Sequence, residues 1–267
     1  MEKRSTIAVI NQKGGVGKTT TVINLATALS ILGQNNLIID LDPQGNATTG
    51  LGKSNNDEKN NIYNLLIKKI ELKEAIQKTD VRNLDLIGSN VNLSGLEVET
   101  ANDSDRAFVL KQILEKEKNS LLSKYDNIFI DCPPSLSLLT IMALVASDEI
   151  LVPLQTEFFA LEGITQLVKT IDRIKVNLNP NLKVRGILLT MFDKRNKLSA
   201  QVDKEARTFF KEKVYETVIP RNVRLSEAPS HGLPCIIYDK ACLGSKSYFK
   251  LADEFLMKKD LNVESAA

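Results

Sequence analysis

The sequence predicts an α/β fold, with a mostly parallel sheet and helices on both of its faces. Short apolar runs alternate with helix-length segments of 3.6-residue periodicity, the pattern of successive βαβ units. Several polar motifs fall just after the apolar runs. Sheets of this kind bind ligands there, at the carboxyl ends of their strands.

The predicted strands are Ile7–Ile10, Leu37–Leu41, Leu84–Ile87, Ile128–Ile130, Ile150–Leu154, Val184–Leu189 and Val214–Ile219. Between them, Thr19–Leu32 places Val22, Ile23, Leu25, Ala26, Leu29 and Leu32 near a helical period. Asp105–Leu122, Leu161–Leu178, Ala200–Lys213 and Ser247–Met257 follow the same pattern. The polar stretch Lys53–Asn61 predicts a surface loop within one domain, because apolar patterning resumes at Ile62. Residues 1–267 are expected to form that single domain.

Composition excludes several classes. Apolar residues make up 43% of the 267 and the net charge is only +2, which excludes extensive disorder. No apolar run approaches the length of a membrane span, and the N-terminal stretch is too short for a secretory signal. Cys132, Cys235 and Cys242 cannot build a disulfide framework or a four-cysteine metal site, so a reducing cytoplasm is expected. With His231 as the one histidine, neither a histidine-based zinc site nor a Ser-His-Asp triad is expected. His231 itself reads as a turn residue hydrogen-bonded to backbone.

Asn11 to Thr20 (N-Q-K-G-G-V-G-K-T-T) follows the first strand and opens the first helix. Gly17-Lys18-Thr19 fits the end of a phosphate loop, but Gln12 stands where the ordinary pattern has its first glycine. The physical elements are present nonetheless. Gly14, Gly15 and Gly17 let backbone N–H groups around Val16 turn inward on phosphate oxygens. The helix beginning at Lys18, Thr19 and Thr20 adds its positive end. Lys18 can reach the outer phosphates and the Thr19 hydroxyl can ligate Mg²⁺, so ATP with Mg²⁺ is the expected ligand pair.

Two strands end in carboxylates. In Asp40-Leu41-Asp42, period 2 puts both acids on one side of the strand end, where one can hold a Mg²⁺-bound water or orient an attacking water. The Pro43-Gln44-Gly45 turn would bring Gln44 close. In Ile128-Phe129-Ile130-Asp131, an apolar strand ends in an acid placed to hold Mg²⁺ through water or Thr19. Pro133-Pro134 would stiffen the chain where a γ-phosphate sensor belongs. Cys132 reads as a small buried residue.

With Lys13 added, the loop resembles the deviant Walker A type of P-loop NTPase. Together Asn11–Thr21, Asp40–Asn46, Asp131–Leu139 and Val218–Pro234 resemble the ParA family of partition ATPases, especially its short Soj-like members. The resemblance implies ATP hydrolysis and an ATP-dependent sandwich homodimer that binds double-stranded DNA nonspecifically. It also implies release on hydrolysis stimulated by a ParB-type centromere-binding partner, and a cytoplasmic, nucleoid-associated location. It implies that Lys13 acts in trans on the neighbouring subunit's nucleotide, as arginine fingers do with effects of roughly 10³–10⁵ in rate. Lys18 and Thr19 become the phosphate and metal contacts, and Asp42 the hydrolysis aspartate. Pro220 and Asn222 match an adenine-side segment, and Arg195 and Arg224 match DNA-contacting arginines. The surroundings of Arg195, Asp193-Lys194-Arg195-Asn196-Lys197, depart from the family's commoner form. Because the chain starts at its first strand, the resemblance is to members without an N-terminal helix-turn-helix extension.

From Asp193 to Arg224 there are nine Lys+Arg and five Asp+Glu, a local excess of +4 against +2 for the whole chain. That excess suits a phosphate-facing surface. Two other classes share the loop. A MinD-like division-site ATPase would need a basic amphipathic C-terminal helix, whereas Leu251–Asp260 mixes acids with bases and reads as a docked helix. A metabolic P-loop enzyme would need cluster cysteines or substrate residues that the sequence does not display.

Overall fold

The computed structural model describes residues 4–157 and 160–264. Seven strands form one sheet: β1 (Ser5–Val9), β2 (Asn36–Asp40), β3 (Ile76–Lys78), β4 (Leu84–Ile87), β5 (Asn127–Asp131), β6 (Glu149–Gln155) and β7 (Lys183–Thr190). Their order is β3-β4-β2-β5-β1-β6-β7, and all pairs are parallel except β3 with β4.

The helices are α1 (Lys18–Ile31), α2 (Asn46–Gly50), α3 (Ile62–Leu66), α4 (Leu72–Ala75), α5 (Leu96–Glu99), α6 (Val109–Lys116), α7 (Leu138–Ala146), α8 (Ala160–Asn177), α9 (Lys197–Phe210), α10 (Val223–Glu227), α11 (Cys235–Tyr238) and α12 (Leu243–Glu264). The strand period of two divides the core between the sheet's faces. Ala8, Ile39, Ile130, Val152 and Leu189 pack against α3, α4 and α6 to α9. Their neighbours Ile7, Val9, Ile38, Phe129, Leu151 and Leu188 pack against α1, α2 and α10 to α12. A strand buried on both faces has no polar side, so these runs are continuously apolar.

Six of the seven predicted strands are strands. The exception is Val214–Ile219. Tyr215 N–H and Ile219 N–H donate to Ile187 and Leu189 of β7 at 2.9 Å, giving isolated bridges only. Between them, the Glu254 carboxylate of α12 takes the N–H groups of Glu216 and Thr217 at 2.8 and 2.9 Å. Those donors are therefore not spent on β7, and no ladder forms. Edge strand β3 was not predicted, since Ile76-Gln77-Lys78 offers one apolar residue. The helix expected over Asp105–Leu122 shortens to α6 between two 3₁₀ turns. Six consecutive polar residues, Glu115 to Ser120, interrupt its apolar stripe there. Lys53–Asn61 is a loop, as expected.

At the carboxyl edge of the sheet, β1 lies between β5 and β6, while the chain leaves β1 for β2 beyond β5. Connections thus depart to opposite sides, which opens a crevice above β1 and β5.

Candidate functional site

The glycine-rich loop sits in that crevice. Gly15 and Gly17 take φ of +74° and +90°, backbone that side chains disfavour. Asn11 shapes the entrance. Its amide donates to the Pro153 carbonyl at 2.8 Å, and its oxygen accepts from Lys13 N–H at 3.0 Å. On the far side, the Thr190 hydroxyl at the end of β7 donates to the Val16 carbonyl at 2.8 Å. Both ends of the loop are thereby tied to strands it does not follow. Gly14 faces Pro134, since a β-carbon on it would lie 3.9 Å from the proline Cβ. The Pro133-Pro134 segment is thus brought against the loop.

Lys18 is buried beneath it, and its ammonium donates to the Lys13 carbonyl at 3.1 Å. Burial holds its pKa down, opposed by the charges of Asp131 and Asp42. Lys13 projects outward and pairs with Glu157. Nothing in the sequence signalled Glu157, because the partners lie on loops after β1 and β6.

The three acids are not equivalent. Asp40 is fully buried and accepts from Thr48 N–H at 2.8 Å, Thr48 Oγ1 at 2.7 Å and Asp42 N–H at 3.2 Å. It pins the turn that carries Asp42. Burial pushes its pKa up to about 6, against the lowering effect of those hydrogen bonds. Asp42 receives Gln44 N–H at 3.0 Å. Gln44 itself is exposed and accepts from Asn46 at 3.0 Å.

Asp131 is fully buried, yet among the described residues neither carboxylate oxygen has a partner at hydrogen-bonding distance. Thr19 lies close enough to lower its pKa, but burial and the Asp40 charge dominate and raise it well above the carboxylate range. A buried acid with two unsatisfied oxygens beside a threonine hydroxyl fits a hydrated cation. Among the described residues no three His, Cys, Asp or Glu are grouped to hold a metal alone. Mg²⁺ keeps several waters and shares its ligands with substrate phosphates. Cys132 is buried, and burial raises its thiol pKa well above the ordinary value. It behaves as the small core residue expected.

The adenine-side candidates lie on the 220–222 segment. Arg221 N–H donates to the Phe192 carbonyl at 3.1 Å beside Pro220, and Asn222 caps α10 by accepting from Arg224 N–H at 3.0 Å. The DNA candidates are each held by their own acids. Arg195 makes a two-pronged pair with Asp193 at 3.0 and 2.9 Å, which pulls that acid down to about 2. Arg224 pairs with Glu227 at 2.8 Å and Asp239 at 3.4 Å. His231 stacks on Tyr238, with ring centroids 4.9 Å apart. The sequence had suggested a backbone hydrogen bond for it; the aromatic neighbour, seven residues on, supplies the contact instead.

A family model described as "AAA domain" matches residues 4–184. The chain is 49% identical over 253 residues to the chromosome partitioning protein ParA of Caulobacter vibrioides, covering 95% of this chain and 94% of that protein. It is 49% identical over 248 residues to the sporulation initiation inhibitor protein Soj of Bacillus subtilis, covering 93% and 96%. The chain belongs to the ParA/Soj family of chromosome-partitioning ATPases. Solved structures of two kinds share its fold. A putative plasmid partition protein of Borrelia burgdorferi bound to AMPPNP is 30% identical with a TM-score of 0.78, covering 96% of this chain and all of that one. Cobyrinic acid a,c-diamide synthase of Mycobacterium smegmatis, bound to an ATP analogue and magnesium, is 33% identical with a TM-score of 0.80, covering 94% and 93%.

As a ParA/Soj family member the chain is an ATPase. Among its described residues no helix is long and apolar enough to cross a membrane. Its last helix, α12, docks Tyr248, Leu251, Ala252 and Phe255 into the core beside α1, and Tyr248 and Thr21 hydroxyls meet at 3.2 Å. Sequence reasoning found the loop and its carboxylates. It missed Thr190 at the end of β7, Glu157 on the loop after β6 and Thr48 on α2.

Proposed function

We propose that this partition ATPase is a nucleotide-switched DNA tether. Gly14 to Thr20 cradle the triphosphate of ATP, with Lys18 beneath it and Pro220 and Asn222 toward the base. Thr19, Asp42 and Asp131 hold Mg²⁺, which supplies charge neutralisation at the phosphates when bound. Asp42 orients the attacking water. Lys13 leaves Glu157 and reaches the nucleotide of a second copy, so that ATP favours a homodimer. Arg195 and Arg224 from both subunits then meet DNA phosphates without reading sequence. Hydrolysis, stimulated by a ParB-type partner, reverses dimerisation and release follows.

The observation that carries this reading is the orphaned, buried Asp131 carboxylate lying beside Thr19 and Lys18 under the glycine loop. The exposed position of Lys13 supports its part. The apolar face of α12 is occupied in the core, and the M. smegmatis synthase likeness favours the metabolic reading as the second one.

The test is binding to a random-sequence duplex with ATP and with ADP at two salt concentrations. Binding with ATP only, with log affinity falling against log salt at a slope of roughly −3 to −4, is expected. No binding with either nucleotide overturns the tether. Lys13→Ala should bind ATP yet stay monomeric; a stable ATP dimer of that variant removes the trans-lysine role.

A further inference from the structure

Cys235 and Cys242 bring their sulfurs within 3.6 Å of each other, although neither is bonded. Cys235 opens α11 and is buried; Cys242 immediately precedes α12 and is half-buried. The turn between them is fixed by Asp239, whose Oδ1 accepts from the N–H groups of Ala241 and Cys242, each at 3.1 Å. Ser245 sits between the sulfurs, its hydroxyl 3.5 Å from Cys235 and 3.4 Å from Cys242, and its N–H donates to Cys242 at 3.4 Å. Two thiols in van der Waals contact, one of them reachable from solvent, need little motion to bond. Cys132 has no such neighbour and lies in the opposite core.

We propose that Cys235 and Cys242 form a reversible dithiol–disulfide site that takes low-molecular-weight disulfides as oxidants. The reaction balances by exchange. The Cys242 thiolate attacks one sulfur of the small disulfide, forming a mixed disulfide and expelling a thiolate that takes up a proton. The Cys235 thiol then loses its proton to solvent and its sulfur attacks Cys242. The mixed bond breaks and the second small thiol leaves. Two cysteines lose two electrons, and one small disulfide gains them as two thiols. Burial pushes the Cys235 thiol up to about 12, so the second displacement is the slow one. A disulfide in a reducing compartment is a transient, signalling bond, which suits a half-exposed pair.

The bond has a consequence for the surface beside it. The bridged segment contains Asp239, paired with Arg224 at 3.4 Å, and Tyr238, whose ring lies 6.0 Å from the Arg224 guanidinium. The closed disulfide holds both against Arg224 and weakens its contact with phosphate. This consequence rests on the DNA reading above; the thiol chemistry does not.

The full chain is treated with oxidised glutathione, then denatured for thiol counting and intact mass. The expected result is loss of two of the three thiols and of the mass of two hydrogens, in a monomer, reversed by dithiothreitol. Cys235→Ser should instead retain one glutathione on Cys242. Three surviving thiols, a wild-type chain that stops at the glutathione adduct, or a disulfide between chains each overturns the site. Oxidised wild type should bind the ATP-dependent duplex several-fold more weakly than reduced, whereas Arg224→Ala should bind equally in both states. Equal binding of oxidised and reduced wild type overturns the consequence. No DNA binding by the reduced chain removes the DNA reading and leaves the thiol result standing.

Discussion

The Thr190 hydroxyl donates to the Val16 carbonyl at 2.8 Å across 174 positions of sequence. A loop that turns its N–H groups inward turns carbonyls outward, and these need donors. Thr190 meets that need from the end of β7. Thr190→Val keeps the shape and removes the donor. It should cost about 1–2 kcal/mol in urea unfolding and lower ATP affinity several-fold. Unchanged nucleotide affinity would show that the tether does not order the loop.

Asp40 and Asp42 stand two residues apart with different surroundings. Asp40 accepts three hydrogen bonds in the core, so Asp40→Ala should lose about 2–4 kcal/mol of stability. Asp42→Ala should unfold near the wild-type midpoint, bind ATP, and lose hydrolysis by roughly 10²-fold or more. It should also remain on DNA with ATP; rapid release would count against Asp42 as the hydrolysis residue.

The pH response of the nucleotide-free chain follows from Asp40. Its folded pKa of about 6 lies above the ordinary 3.8. Its protonation therefore favours the folded state below about 3.9, and this contribution is lost as pH rises through about 6. Moving from pH 7 to pH 5 should raise stability through this group by about 1 kcal/mol. Asp131 acts in the same direction. Urea midpoints at both pH values should show a smaller gain for Asp40→Asn than for wild type. Equal gains would assign the effect elsewhere.

Arg195 is paired with Asp193 and Arg224 with Glu227, and on the proposed DNA reading these acids would compete with phosphate. Exposed pairs of this kind are screened by water and weak. Asp193→Asn and Glu227→Gln should each therefore tighten ATP-dependent duplex binding, by about two- to fivefold. Weaker binding in either variant would mean that the acid positions its arginine for DNA.

Gly186 lies against the ring of buried Tyr215, and a β-carbon there would clash with Tyr215 Cε2. Gly186→Ala should cost about 1–3 kcal/mol by overpacking. Thermal unfolding would show the loss. ATP affinity of the folded fraction should be unchanged.

These contacts mark how far the sequence was legible. The glycine loop, Lys18 and Thr19 were legible because strand, loop and helix N-terminus are consecutive, and backbone geometry acts over a few residues. Asp131 stands out because it ends the apolar run Ile128–Ile130, and Asp42 because it follows at a spacing of two the Asp40 that ends Leu37–Ile39. Val214–Ile219 misled because its apolar pattern is that of a strand, while Glu254, from a helix much later in the chain, takes the donors a strand would use.

Local patterning, then, dictated the parallel α/β sheet, the loop and the kinds of residue around it, since periodicity and turn chemistry depend on near neighbours. Only the packed fold decided that Asp40 braces while Asp131 stays unsatisfied, and that Lys13 meets Glu157. Those outcomes depend on which strands lie side by side, and on how burial divides hydrogen bonds among groups that the chain itself keeps apart.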